Sequence, residues 1–243
     1  MRSLALAALL AALALAGCGG DDQPLKVSAA ASLKTALTDY DSDARFSFAG
    51  SDELAAQIRQ GAKPDVFASA NTKLPDQLYA DGLVEKPVTF ARNRLVLAVP
   101  AGGGDVEALT DIENPGTTLA IGSETVPIGS YTRTVLGRLP ESESSKILKN
   151  VRSEEPDVAG IVGKLTQGAV DAGFAYISDV RASSGRLKAI ELPDSLQPSV
   201  AYGAAVVKGT KHADDAKAFV DGLLEGGGKQ ALLDAGFEPP PAQ

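Results

Sequence analysis

Residues 25–81 run LKVSAAASLKTALTDYDSDARFSFAGSDELAAQIRQGAKPDVFASANTKLPDQLYAD, and three short apolar runs in it alternate with three longer segments of helical period. Leu25–Ala29, Ala44–Phe48 and Asp65–Ser69 read as strands; Ser32–Tyr40, Ser51–Gln60 and Thr72–Asp81 read as helices. In the second helix Leu54 and Ile58 lie four apart with Ala55 on their side, an apolar stripe suited to lying on a sheet. Gly61-Ala62-Lys63-Pro64 stops that helix before the third strand. A repeated βα unit of this kind implies an α/β fold with a mostly parallel sheet covered by helices.

The alternation continues downstream. Arg94–Pro100, Thr118–Gly122, a short run at Asn150–Arg152, Ala169–Tyr176 and Ala201–Val207 are strand candidates. Helices are expected near Gly129–Arg138, Asp157–Gln167, Ala213–Leu224 and Lys229–Ala235. Ala101-Gly102-Gly103-Gly104-Asp105 is the most flexible-looking stretch of the body and is read as a crossing between two lobes. The expected division is residues 25–99 plus 202–243 against residues 100–201, two lobes of about 100 residues each. Neither that glycine triplet nor Gly226–Gly228 sits in a phosphate-loop or dinucleotide fingerprint.

Ahead of the fold, Met1-Arg2-Ser3 leads into an uncharged apolar run from Leu4 to Ala16, too short for a permanent span and built like a secretory signal. Residues 1–17 are expected to be removed, and residues 18–24 to form a polar tether. Leu15-Ala16-Gly17-Cys18 resembles the lipobox of bacterial lipoproteins, which makes Cys18 the lipid attachment site and places the protein on the extracytoplasmic face of the cell membrane. The 243 residues carry 23 Lys and Arg against 31 Asp and Glu, a net charge of −8 that disfavours nucleic acid as a partner. One Cys and one His leave no internal disulfide, no soft-ligand metal site and no triad chemistry.

Small, capping or proline residues recur where strands hand over to helices: Ala30-Ala31-Ser32-Leu33, Ala49-Gly50-Ser51-Asp52, Val126-Pro127-Ile128-Gly129 and Glu155-Pro156-Asp157-Val158. The first amides of a helix have no partner inside it and carry the positive end of its dipole, so several such starts meeting at one point would hold an anion. With Gly61-Ala62-Lys63-Pro64-Asp65-Val66-Phe67-Ala68-Ser69-Ala70, Ser130-Tyr131 and Gly173-Phe174-Ala175-Tyr176 before Ser178-Asp179, these pieces stand in the order and spacing of a known family. The chain resembles the molybdate-binding proteins of ABC importers from Leu25 to about Phe237.

The resemblance implies a type II periplasmic binding protein fold, two lobes each with a mixed, mostly parallel sheet flanked by helices and the ligand in the cleft. It implies a tetrahedral oxyanion, molybdate or tungstate, held by the Ser32 and Ser51 hydroxyls, the Ile128 and Val158 amides and the Tyr176 hydroxyl, and no cofactor. It further implies a monomer that hands its ligand to a transporter permease and is not an enzyme. Where the family often has alanine, this chain has Ile128, which keeps the backbone donor but adds bulk to the cavity wall. A sulfate or phosphate receptor on the same fold is the alternative. A secreted hydrolase using two of Glu53, Asp65, Glu154, Glu155 and Asp157 is a third reading; Glu154 and Glu155 are more naturally first-turn acids, and Lys34, two residues after Ser32, points away from it.

Overall fold

The computed structural model describes residues 23–240; the signal segment, Cys18 and most of the tether lie outside them. In chain order the elements are β1 (Lys26–Ala30), a 3-10 turn (Ala31–Leu33) running into α1 (Lys34–Tyr40), β2 (Arg45–Ala49), α2 (Ser51–Arg59), β3 (Val66–Ser69), α3 (Lys73–Ala80) and β4 (Val88–Asn93). There follow β5 (Leu95–Pro100), β6 (Leu119–Gly122), α4 (Pro127–Leu136), α5 (Glu141–Lys149), β7 (Val151–Glu155), α6 (Val158–Thr166), β8 (Ala172–Tyr176), α7 (Ile177–Ala182) and β9 (Leu187–Glu191). β10 (Val200–Val206), α8 (Ala213–Leu224) and α9 (Gly227–Asp234) close the chain.

Two five-stranded sheets result, ordered β2-β1-β3-β10-β4 and β7-β6-β8-β5-β9. In each, the first three strands are parallel and the last two pair antiparallel. The sheets are therefore mixed, as expected: in each, a single strand, β10 or β5, runs against the other four. The edge strands β2 and β7 alternate in burial, whereas the interior strand β3 is buried throughout, as its Val-Phe-Ala-Ser run requires. On α2 the stripe Leu54, Ala55 and Ile58 is buried against the sheet, each large side chain contributing about 1.5–3 kcal/mol.

The lobe boundaries differ from those expected at 99/100 and 201/202. β5 is flanked on both sides by β8 and β9, so Leu95–Pro100 belongs to the second sheet, and the chain changes lobe at Asn93–Arg94, between adjacent strands and without a linker. The return runs through residues 192–199 into β10, whose first residue is Val200. Residues 101–105 form a turn within the second lobe, because a glycine-rich stretch marks a reversal of the chain as readily as a hinge. β4, α5, α7 and β9 add to the expected elements. Ser32 falls in the 3-10 turn ahead of α1.

Candidate functional site

In both lobes the carboxyl ends of the parallel strands face one crevice, the usual place for a ligand in α/β sheets. β1 delivers Ser32 and β2 delivers Ser51 from the first lobe; β6, β7 and β8 deliver Ile128, Val158 and Tyr176 from the second. All five line one cavity of about 20 Å³, together with Gly50, Ala70 and Asp157. A cavity of roughly 10–15 Å³ admits one water, so this space suits a single small group. Ser32, Ser51, Ile128, Val158 and Tyr176 are each less than a tenth exposed. No Lys or Arg is among the lining residues.

Each of the five proposed ligand-facing groups is left with a proton to give. Ser51 opens α2, and its Oγ accepts the Ala70 N–H at 3.0 Å, which leaves the hydroxyl proton free. Ser32 Oγ lies 2.9 Å from the Tyr202 hydroxyl. Ile128 follows Pro127 in the first turn of α4, where an amide has no partner within the helix. Val158 opens α6 behind Asp157, whose Oδ1 caps Gly160 N–H at 2.9 Å and leaves the Val158 amide uncapped. The buried Tyr176 hydroxyl has no hydrogen-bond partner among the described residues. Burial, with Tyr202, Tyr131 and Asp179 nearby, holds its pKa well above the usual phenol value, so it stays neutral and a donor.

The bulk of Ile128 is accommodated by a glycine. A Cβ on Gly122 would lie 2.6 Å from both Ile128 Cγ2 and the Gly129 backbone nitrogen, so the start of α4 with its larger side chain packs directly on that glycine. The lobes meet beside the site: Thr125 Oγ1 donates to Asp52 Oδ2 at 2.9 Å, and a Cβ on Gly50 would stand 2.5 Å from the Pro156 carbonyl oxygen. Asp179, beneath Tyr176, accepts its backbone N–H at 3.0 Å. Burial lifts the Asp179 carboxyl to about 7 against that amide's pull, with a further push from Asp157.

The cavity thus presents hydroxyls and amides, the donor set for an anion, and its nearest carboxylate is committed to a helix cap. Of the other acids considered for hydrolysis, Glu154 pairs with Arg133 at 3.1 Å, Glu155 lies 3.8 Å from Lys164, and Asp65 accepts Lys26 N–H at 2.7 Å; none lines the cavity. Sequence reasoning missed Tyr202, Asn93, Ser178 and the Asp52–Thr125 contact. The available signal was a lone tyrosine inside the apolar strand Ala201–Val207 and a lone asparagine closing β4.

A family model described as bacterial extracellular solute-binding protein matches residues 18–238. The molybdate-binding protein ModA of Mycobacterium bovis is 33% identical over 225 residues, covering 88% of this chain and 84% of the relative. ModA of Escherichia coli is 31% identical over 233 residues, 88% and 89% of the two chains. The Azotobacter vinelandii periplasmic molybdate-binding protein superposes with a TM-score of 0.78 at 22% identity, over 89% of this chain and 99% of that one. A more distant relative from Pseudomonas, 24% identical over 77% of this chain and 72% of its own, is named aconitate isomerase.

Proposed function

The chain belongs to the bacterial extracellular solute-binding proteins, and from that premise we propose that it captures molybdate or tungstate between its lobes and delivers it to an ABC importer. The observation that carries the reading is the buried Tyr176 hydroxyl with no hydrogen-bond partner among the described residues, in a cavity where two serine hydroxyls and two helix-start amides also have protons to give. Leaving such a group unsatisfied costs about 1–3 kcal/mol, which an anion oxygen would recover. A hydrogen bond to a charged acceptor contributes about 1.5–3 kcal/mol net of water, so five donors suffice for the roughly 8 kcal/mol of a micromolar site.

Molybdate and tungstate carry no proton near neutral pH and match a cage of donors. Phosphate, partly protonated there, needs an acceptor, and Asp157, whose Oδ1 caps Gly160, is the one carboxylate among the lining residues. Sulfate is unprotonated but smaller, and a rigid cage discriminates against it by fit. Cys18 is read as the lipid anchor that keeps the receptor at the membrane, the mature protein as a monomer working without a cofactor, and its role as binding without turnover. Calorimetry of the chain beginning at residue 23 against molybdate, tungstate, sulfate and phosphate tests the ligand: molybdate and tungstate should bind tightest, and tighter sulfate binding would overturn the assignment. Interconversion of cis- and trans-aconitate by the same preparation would overturn the non-enzymatic role.

A further inference from the structure

The ligand-facing serine of the first lobe does not stand alone. Asn93, the last residue of β4 and the point at which the chain changes lobe, is 4% exposed. Its Oδ1 accepts the Arg94 N–H at 2.9 Å, which fixes the orientation of the amide. Nδ2 must then be the atom 2.8 Å from Ser178 Oγ in the second lobe and 3.4 Å from the Tyr202 hydroxyl in the first. An amide nitrogen only donates, so the Tyr202 oxygen is an acceptor toward Asn93. Tyr202 is fully buried, and its other partner among the described residues is Ser32 Oγ, at 2.9 Å. Already accepting from Asn93, the Tyr202 hydroxyl is placed to give its proton to Ser32, which would turn the Ser32 proton toward the cavity.

We propose that Tyr202 is a positioning residue for the anion site: held by Asn93 at the lobe crossover, it donates to Ser32 and so commits the Ser32 hydroxyl to giving its proton to the ligand. Tyr202 does not line the cavity, and its hydroxyl reaches the site through Ser32. The same logic already governs Ser51, where the Ala70 amide plays the part that Tyr202 plays for Ser32. The difference is that the Ser51 partner is backbone of its own lobe, whereas the Ser32 partner is tied to the crossover and, through Asn93, to Ser178 beside Tyr176. A bent or retracted crossover would thus be felt at Ser32 and not at Ser51.

The inference rests on the reading that Ser32 donates to the bound anion, and a double-mutant cycle separates the two. Molybdate affinity is measured by calorimetry for Ser32→Ala, Tyr202→Phe, the pair, and Tyr202→Phe combined with Ser51→Ala. Ser32→Ala should weaken binding about 10- to 100-fold and Tyr202→Phe about 5- to 10-fold. The Ser32→Ala/Tyr202→Phe pair should be no weaker than Ser32→Ala alone, because removing the serine removes what the tyrosine acts on. With Ser51→Ala the losses should instead multiply. General damage to the lobe would multiply with either serine, so the contrast isolates positioning. Asn93→Ala supplies an independent entry: it should weaken binding when Ser32 is present and have no further effect when it is not. No loss on Ser32→Ala would overturn the donor assignment of the site itself. A loss there, with Tyr202→Phe either silent or multiplying with Ser32→Ala, would overturn the positioning role alone.

Discussion

Removing the Tyr176 hydroxyl should move stability and affinity in opposite directions. The ring is held on two sides, edge-on to Tyr131 at 6.4 Å and to Tyr202 at 5.9 Å, so Tyr176→Phe preserves its packing. The hydroxyl is buried and has no partner among the described residues; its deletion removes a desolvation penalty of about 1–3 kcal/mol from the unliganded protein. For a chain of this size each kcal/mol moves the melting temperature about 2–4 °C, so unliganded Tyr176→Phe should melt about 2–12 °C higher than the parent. With the anion bound, the same deletion removes one charge-assisted hydrogen bond of about 1.5–3 kcal/mol, a loss of affinity of roughly 10- to 150-fold. Differential scanning calorimetry without ligand and titration calorimetry with molybdate measure the two effects on one preparation. A variant that melts lower while binding as tightly as the parent would refute the reasoning, because the hydroxyl would then be a satisfied structural group.

Gly50→Ala should oppose closure, since its methyl would lie 2.5 Å from the Pro156 carbonyl oxygen across the cleft; molybdate titration should show affinity reduced about 5- to 150-fold, the range of an overpacking penalty, with unliganded melting unchanged. Gly129→Ala should act on the fold instead, because its Cβ would sit 1.8 Å from the Ser123 carbonyl oxygen at the start of α4; urea unfolding should give a loss of about 3 kcal/mol or more. The Asp179 carboxyl, raised from 3.8 to about 7, binds its proton more tightly folded than unfolded, so stability should be highest below about pH 4 with respect to this group and fall as pH rises toward 7. Asp179→Asn should flatten that part of the stability profile in melting series, whereas an unchanged slope would assign it to other groups.

The parts of the site visible in the sequence are those made locally. Ser51 begins a helix two residues after its strand, and Pro127 and Asp157 announce helix starts by chemistry that needs no distant partner. Tyr202 was invisible as a site residue because its partner Ser32 is 170 positions away, and an apolar strand with one tyrosine reads as core. The strands β4 and β9 were hidden for a related reason: Val88-Thr-Phe-Ala-Arg-Asn and Leu187-Lys-Ala-Ile-Glu are short and mixed, and antiparallel pairing with β10 and β5 selects them. The lobe boundary was misplaced because Gly102–Gly104 looked like a hinge, while the crossover at Asn93–Arg94 carries neither glycine nor proline and shows itself through the long-range partners of Asn93 and the neighbours β5 finds.

The division of the donors between the two halves of the molecule has a consequence for unloading. Ser32 and Ser51 sit on one side, and Ile128, Val158 and Tyr176 on the other. Prised apart, one side keeps two hydrogen bonds to the ion, about 3–6 kcal/mol, and the other keeps three, about 4.5–9 kcal/mol, so each half holds it more weakly than the five together. A membrane machine can loosen the cargo without touching it: pulling on the outer surfaces of the receptor weakens the hold, and that part of the work of release is done on protein, not on the ion.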